Sequence, residues 1–191
     1  AQNFPSMIIP AFALHPWYIN QAPPDWPDKL SEFLRAFPSA LIGECGLDGF
    51  KPALESQQEI FAAHLRLAHE FNRPLIIHAV KAVPLIREWR ALLPEKFVIH
   101  GFNGRKEFLQ DIIKNGGYIG IGAGLFKTPK VTEILPLIPQ NRILFESDAP
   151  FQAQGSWCID GYIRQAADIL PLLRPDPDGA QLRRRLHLGL G

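Results

Sequence analysis

The chain has 191 residues, 47% of them hydrophobic and 20% charged, with a formal net charge of +1. That is enough for one domain with a substantial core and too little for two, and the near-neutral balance excludes a strongly basic field, so any nucleic-acid binding needs a local patch. The two cysteines, Cys45 and Cys158, stand in no metal or redox spacing, and there is neither an apolar stretch of membrane-spanning length nor a signal peptide, so a reducing, cytoplasmic setting is expected.

Six β-rich runs follow one another: "MIIPAFALH" (7–15), "ALIGECGLD" (40–48), "RPLIIHAV" (73–80), "KFVIHGF" (96–102), "GGYIGIGAG" (116–124) and "RILFESDAP" (142–150). They are almost continuously apolar, as parallel strands covered on both faces are. Helical spacing lies between them. Residues 27–37 place Leu30, Phe33, Leu34 and Phe37 on one side, and residues 55–71 do the same with Ile60, Phe61, Leu65, Ala68 and Phe71. Residues 82–93 and 106–115 read as further helices, the latter stopped by Asn115-Gly116-Gly117. Residues 161–173 and 179–188 read as closing helices, with the basic run 183–185 on a solvated face.

Such alternation predicts a parallel α/β sheet, open or closed as a barrel, and residues 1–191 as one domain. An open dinucleotide fold is the weaker choice. "GECGLDG" lacks both GxGxxG and a P-loop lysine, and "GIGAGLF" is followed by a poor phosphate-binding helix start.

The polar residues fall at strand ends. His15 ends the first run, Glu44 and Asp48 lie in the second, His78 and His100 end the third and fourth, and Glu146 and Asp148 end the sixth. Carboxylates and imidazoles beside apolar strands are costly unless paired or bound to a metal, and in a parallel barrel all these ends open on one face. Any one strand-end histidine is more often a solvated or capped residue, and Asp148 before Pro150 can be a simple turn. The joint pattern points to a metal site. Cys45 is expected to pack against helices if its neighbour Glu44 faces that site. His64 and His69 are expected on a helix surface.

Taken in order, "LHPWY", "GECGLDGF", "PLIIHAV", "VIHGFNG" and "FESDAPF" resemble the successive signatures of the TatD-type metal-dependent deoxyribonucleases, amidohydrolase-like (β/α)8 barrel enzymes. The resemblance runs from about residue 8 to residue 151 and implies hydrolysis of DNA phosphodiester bonds by metal-activated water, with one or two divalent ions and no organic cofactor. Glu44 resembles the carboxylate bridging the two ions, and His78 and His100 the histidines of the second ion. Asp148 resembles the aspartate that binds the first ion and receives the proton of the attacking water. His15 resembles a histidine near the substrate phosphate, Glu146 a carboxylate close to the same centre, and Asp48 a support of its loop. Mg²⁺ is favoured by the resemblance, while Mn²⁺ and Zn²⁺ also suit mixed imidazole and carboxylate ligation.

The chain departs from the family in three respects. No His-x-His pair is present, and six strands are expected where the barrel takes eight and about 250 residues. The expectation is a TIM-type (β/α)8 barrel lacking its first two βα units, able to hold one ion weakly and a poor catalyst alone. Lys81, in "HAVKA", stands where the family carries an arginine-containing stretch, and is a candidate phosphate contact. Phe151 and Trp157 are candidates for stacking on a base. Two other readings stay open: a metal hydrolase of a small ester, amide or phosphoester on the same scaffold, and a catalytically degenerate homologue.

Overall fold

A computed structural model describes residues 8–82, 87–126, 128–148 and 151. The chain divides into two compact units, Ala1–His100 with Lys114–Gly117, and Gly101–Ile113 with Tyr118–Gly191.

The first unit holds four parallel strands in chain order: β1 (Ala11–Phe12), β2 (Leu41–Asp48), β3 (Leu75–Val80) and β4 (Phe97–His100). Helix α1 (Trp26–Ala36) connects β1 to β2, and α2 (Leu54–Glu70) connects β2 to β3. Both occupy the stretches that helical spacing predicts. Helix α1 buries Leu30 and Leu34, and α2 buries Phe61, Leu65, Leu67 and Ala68. These pack with Ile42, Cys45, Leu47, Leu75 and Ile77, all fully buried. Phe33 takes a different place: it is largely exposed and stacks on Phe12 with ring centroids 5.0 Å apart.

Two details of β2 set the positions of Glu44 and His78. The pairing of β2 with β3 shifts between Ile42 and Cys45, so Gly43 and Glu44 bulge out of the ladder before Cys45↔Ile77 and Gly46↔His78 resume. A bulge re-aims a side chain, here Glu44, while Cys45 stays in the core. Gly46 has φ +134, and a Cβ there would lie 2.2 Å from the His78 carbonyl oxygen, so only glycine lets β2 lie against His78.

The second unit contains most of α3 (Lys106–Lys114) and the parallel pair β5 (Tyr118–Ile121) and β6 (Ile143–Phe145). Phe102, Phe108, Leu109, Ile119, Ile121, Leu125, Leu135 and Ile138 are buried in it. Helix α3 ends where Asn115-Gly116-Gly117 predicts, and Gly116 has φ 82.

All six expected strands exist, each shorter than its apolar run. Of the expected helix over 82–93, Arg87 and Glu88 are helical and Arg90–Leu92 is a 3-10 turn, while residues 83–86 lie outside the described residues. The expected helices over 161–173 and 179–188, and also Trp157 and Cys158, lie outside the described residues.

Candidate metal centre

In the first unit, strand ends bring His15, Glu44, Asp48, His78 and His100 together. Glu44 is the hub. Its Oε2 lies 3.8 Å from His15 Nε2 and 3.8 Å from His78 Nδ1, and its Oε1 lies 3.5 Å from His100 Nε2. Such separations exceed good hydrogen bonds. They match instead the spacing of two ligands on one cation, about 3.4 Å for tetrahedral bonds of about 2.1 Å. The donor atoms of His15, Glu44 and His78 all lie within 4.8 Å of one another. Glu44 also faces His78 and His100, and a hard carboxylate with two borderline imidazoles suits Mg²⁺, Mn²⁺ or Zn²⁺, so the chemistry of those three residues fits a divalent ion.

The neighbours of each ring sort the histidines by role. His78 Nε2 faces Asp48 Oδ2 at 3.1 Å. Asp48 is buried, and burial alone would raise its pKa. The Trp17 indole, the Phe50 N–H and His78 more than offset this, so the group is held below the ordinary aspartate value and accepts hydrogen bonds as a carboxylate. With Asp48 at Nε2, the ring turns Nδ1 toward Glu44. A histidine ligand oriented by a carboxylate on its other nitrogen is a recurring design of metal sites.

His15 is arranged in the opposite sense. It caps the 3-10 turn Pro16–Gln21, and its Nδ1 accepts the Trp17 N–H at 3.2 Å. Burial, then the nearby His78, lowers its pKa to about 4, so at neutral pH the ring is uncharged with its proton on Nε2. That nitrogen points toward Glu44 as a donor and has no lone pair for a metal. Glu44 itself is pushed up by burial and pulled down further by His78, His100 and His15, so it stays a carboxylate.

Asp48 proves to be more than a loop support. Its Oδ2 also accepts the Trp17 Nε1–H at 2.6 Å, and Oδ1 accepts the Phe50 N–H at 2.9 Å. Gln57, fully buried in the first turns of α2, clips the loop. Its Oε1 accepts the Asp48 N–H at 2.8 Å, and its Nε2 donates to the carbonyls of Asp48 (3.2 Å) and Pro52 (3.1 Å).

His64 corrects an expectation. It is buried, not on the helix surface. Its Nδ1 lies 2.8 Å from the Ile60 carbonyl, its Nε2 accepts the Leu14 N–H at 3.1 Å, and it stacks on Trp26 at 4.7 Å. Burial lowers its pKa to about 4, which keeps the ring neutral and able to accept from Leu14, the residue before His15. The signal was in the spacing, since His64 falls on the stripe of Phe61, Leu65 and Ala68. His69 does lie on the exposed side, with Nε2 2.9 Å from the Leu92 carbonyl. Cys45 packs inward as expected, and burial pushes its thiol well above the ordinary range, which makes it inert.

Asp148 and Glu146 belong to the second unit. Glu146 follows β6; its N–H donates to Ile121 O at 3.0 Å, and its Oε1 accepts the Gly101 N–H. Asp148 is half-buried and has φ 48, a left-handed conformation that aspartate tolerates better than most residues. Phe151 is largely exposed.

The sequence profile of the TatD related DNase family matches residues 1–177. The chain belongs to this family. Among curated relatives, the 3'-5' ssDNA/RNA exonuclease TatD of Escherichia fergusonii is 38% identical over 119 residues, covering 58% of this chain and 45% of that protein. Its counterpart in Pectobacterium atrosepticum is 32% identical over 164 residues, covering 79% and 61%. The chain thus spans roughly half the length of the curated TatD relatives it matches. Among solved structures, YJJV, a TatD homologue from Escherichia coli K12, superposes with a TM-score of 0.78 at 24% identity, over 93% of this chain and 73% of that one. A TatD family hydrolase from Entamoeba histolytica gives 0.66 at 20% identity, over 82% and 60%. The parallel α/β sheet expected from strand–helix alternation is present, and the TIM-type (β/α)8 barrel lacking its first two βα units, which the family resemblance implied, is the fold these TatD neighbours support.

Proposed function

We propose that this chain is the catalytic part of a metal-dependent phosphodiester hydrolase acting on DNA, with Glu44, His78 and His100 as ligands of a divalent cation. The observation that carries the reading is one half-buried carboxylate facing three imidazoles at 3.5–3.8 Å. The names of the curated relatives support a nucleic-acid substrate. The cation supplies Lewis acidity toward a phosphoryl oxygen and lowers the pKa of water toward about 7. Mg²⁺ is the proposed ion, on the family resemblance.

The chain's own residues divide the remaining work. Asp48 holds His78 so that Nδ1 faces the ion. His15 donates its Nε2 proton in a hydrogen bond to a phosphate oxygen. Asp148, assigned on the resemblance, holds the attacking water and takes its proton, and it completes the ligand set. Glu146 keeps the loop at Gly101 in place. Together, residues 1–191 are proposed to act as one barrel domain. The composition supports a cytoplasmic setting, and among the described residues no helix is long and apolar enough to cross a membrane.

The test is degradation of a labelled single-stranded oligonucleotide with Mg²⁺ or Mn²⁺, beside Glu44→Ala and Asp148→Ala. Both variants are expected to lose activity, and EDTA to abolish it in the parent chain. Equal degradation by parent and both variants refutes the assignment.

A further inference from the structure

Beside the metal centre the chain displays aromatic surface where a soluble domain ordinarily covers it. Trp17, Tyr18 and Phe50 are 40%, 47% and 72% exposed. Two of them border the metal-centre histidines. The Trp17 ring lies 5.2 Å from His15 and 6.2 Å from His78, and the Tyr18 ring 6.0 Å from His15. Each of two rings carries an ammonium on its face. Lys51 Nζ is 4.7 Å from the Trp17 centroid, and Lys81 Nζ is 5.7 Å from the Phe50 centroid.

The surface is braced rather than loose. The Asp48 carboxylate ties the Trp17 indole at 2.6 Å and the Phe50 N–H at 2.9 Å. The Gly49 N–H donates to Val80 O at 2.7 Å, and the Lys51 N–H to Asp48 O at 3.0 Å. A Cβ on Gly49 would meet Lys81 O at 2.8 Å, so the loop after β2 lies directly on the residue that follows β3. These bonds fix the Trp17 indole and the backbone that carries Phe50, on a surface that stays open to solvent.

We propose that Trp17, Tyr18 and Phe50, with Lys51 and Lys81, form a ledge on which the unpaired bases of a single-stranded nucleic acid stack while its terminal phosphate enters the metal centre. The proposal rests on the nuclease reading and names the residues that select the substrate. Charge complementarity identifies the occupant. The chain's net charge is only +1, yet two lysines flank the exposed rings. An ammonium on an exposed ring gains only about 0.5–1 kcal/mol. A base therefore displaces it readily, and the long lysine stem lets the charge swing to the neighbouring phosphate. Bases in a duplex are already stacked and do not offer their faces, so the ledge favours single strands. Lys81 thereby takes the phosphate role for which its sequence position made it a candidate.

The experiment measures fluorescence anisotropy of a fluorescein-labelled oligothymidylate with the full chain in EDTA. An abasic oligonucleotide of equal length and a duplex serve as comparisons. The parent chain is expected to bind the oligothymidylate most tightly. Phe50→Ala and Tyr18→Ala are each expected to weaken it on the order of tenfold and leave abasic binding unchanged. Lys51→Gln with Lys81→Gln is expected to weaken both single strands and flatten the salt dependence. Far-ultraviolet circular dichroism checks that each variant is folded, which these exposed positions favour. Equal binding of base-bearing and abasic strands, or no loss in either aromatic variant, overturns the ledge and leaves a protein partner as its occupant. Hydrolysis of bis(p-nitrophenyl) phosphate by the parent chain with Mn²⁺ judges the nuclease reading separately. Absence of hydrolysis with base-selective binding intact defeats that reading alone.

Discussion

Replacing His64 by glutamine changes how stability depends on pH. A glutamine amide can still donate to the Ile60 carbonyl and accept the Leu14 N–H, the two bonds of the imidazole at 2.8 and 3.1 Å. What it cannot do is bind a proton. The folded-state pKa of His64 is about 4, below the ordinary histidine value of 6.5. The unfolded chain therefore takes up the proton first, and the stability that neutral His64 contributes is present above about pH 6.5 and lost as pH falls toward 4. The shift corresponds to about 3 kcal/mol when complete, of which about 2 kcal/mol is gone by about pH 5. Urea unfolding followed by tryptophan emission measures the effect at about pH 7.5 and about pH 5. The parent and His64→Gln chains are expected to lie within about 1 kcal/mol of each other at the higher pH. At the lower pH the variant is expected to be the more stable by about 2 kcal/mol. His15 also titrates low but is common to both chains and cancels in the difference. Parallel pH dependences would refute a neutral, doubly bonded His64.

Three further outcomes are expected. Asp48→Asn removes the charge and one of the two carboxylate oxygens that accept from Trp17 and Phe50 and orient His78, so Mn²⁺ affinity measured by calorimetry should fall roughly 10- to 100-fold. Gly46→Ala drives a methyl to within 2.2 Å of the His78 carbonyl, so thermal unfolding should show a loss of several kcal/mol and Mn²⁺ binding should weaken with it. His15→Leu should lower kcat on DNA by roughly a hundredfold, the cost of losing one donor to developing charge, while Mn²⁺ affinity stays near that of the parent. A collapse of Mn²⁺ binding in that variant would make His15 a ligand instead.

How much of the fold and of the candidate metal centre is legible in the sequence depends on the kind of signal. Glu44, His78 and His100 stand out because each breaks an apolar run, and runs of that composition are strands whose ends share a face. Apolar runs overstate strand limits for a related reason. The run 7–15 contains a two-residue strand, Ala11–Phe12, because Pro10 offers no N–H to a ladder and Leu14 donates to His64 instead. The role of His64 depends on a partner fifty residues away, which helical spacing alone cannot supply. Asp48 hides its importance in the same way. That importance lies in what converges on it: the Trp17 indole, the His78 imidazole and the Gln57 side-chain amide, drawn from separate parts of the chain, and the nearby Phe50 N–H.

The Gln57 clip limits how this protein can change. Loops between strands and helices ordinarily accept added residues with little harm. Here one amide at the start of α2 grips residues on both sides of the Asp48–Pro52 turn, and the turn in turn holds His78, the proposed metal ligand, through Asp48. A single inserted residue would slide the amide out of reach and release His78 with it. Length variation in this segment is therefore closed off, and tolerated insertions must fall in other connections.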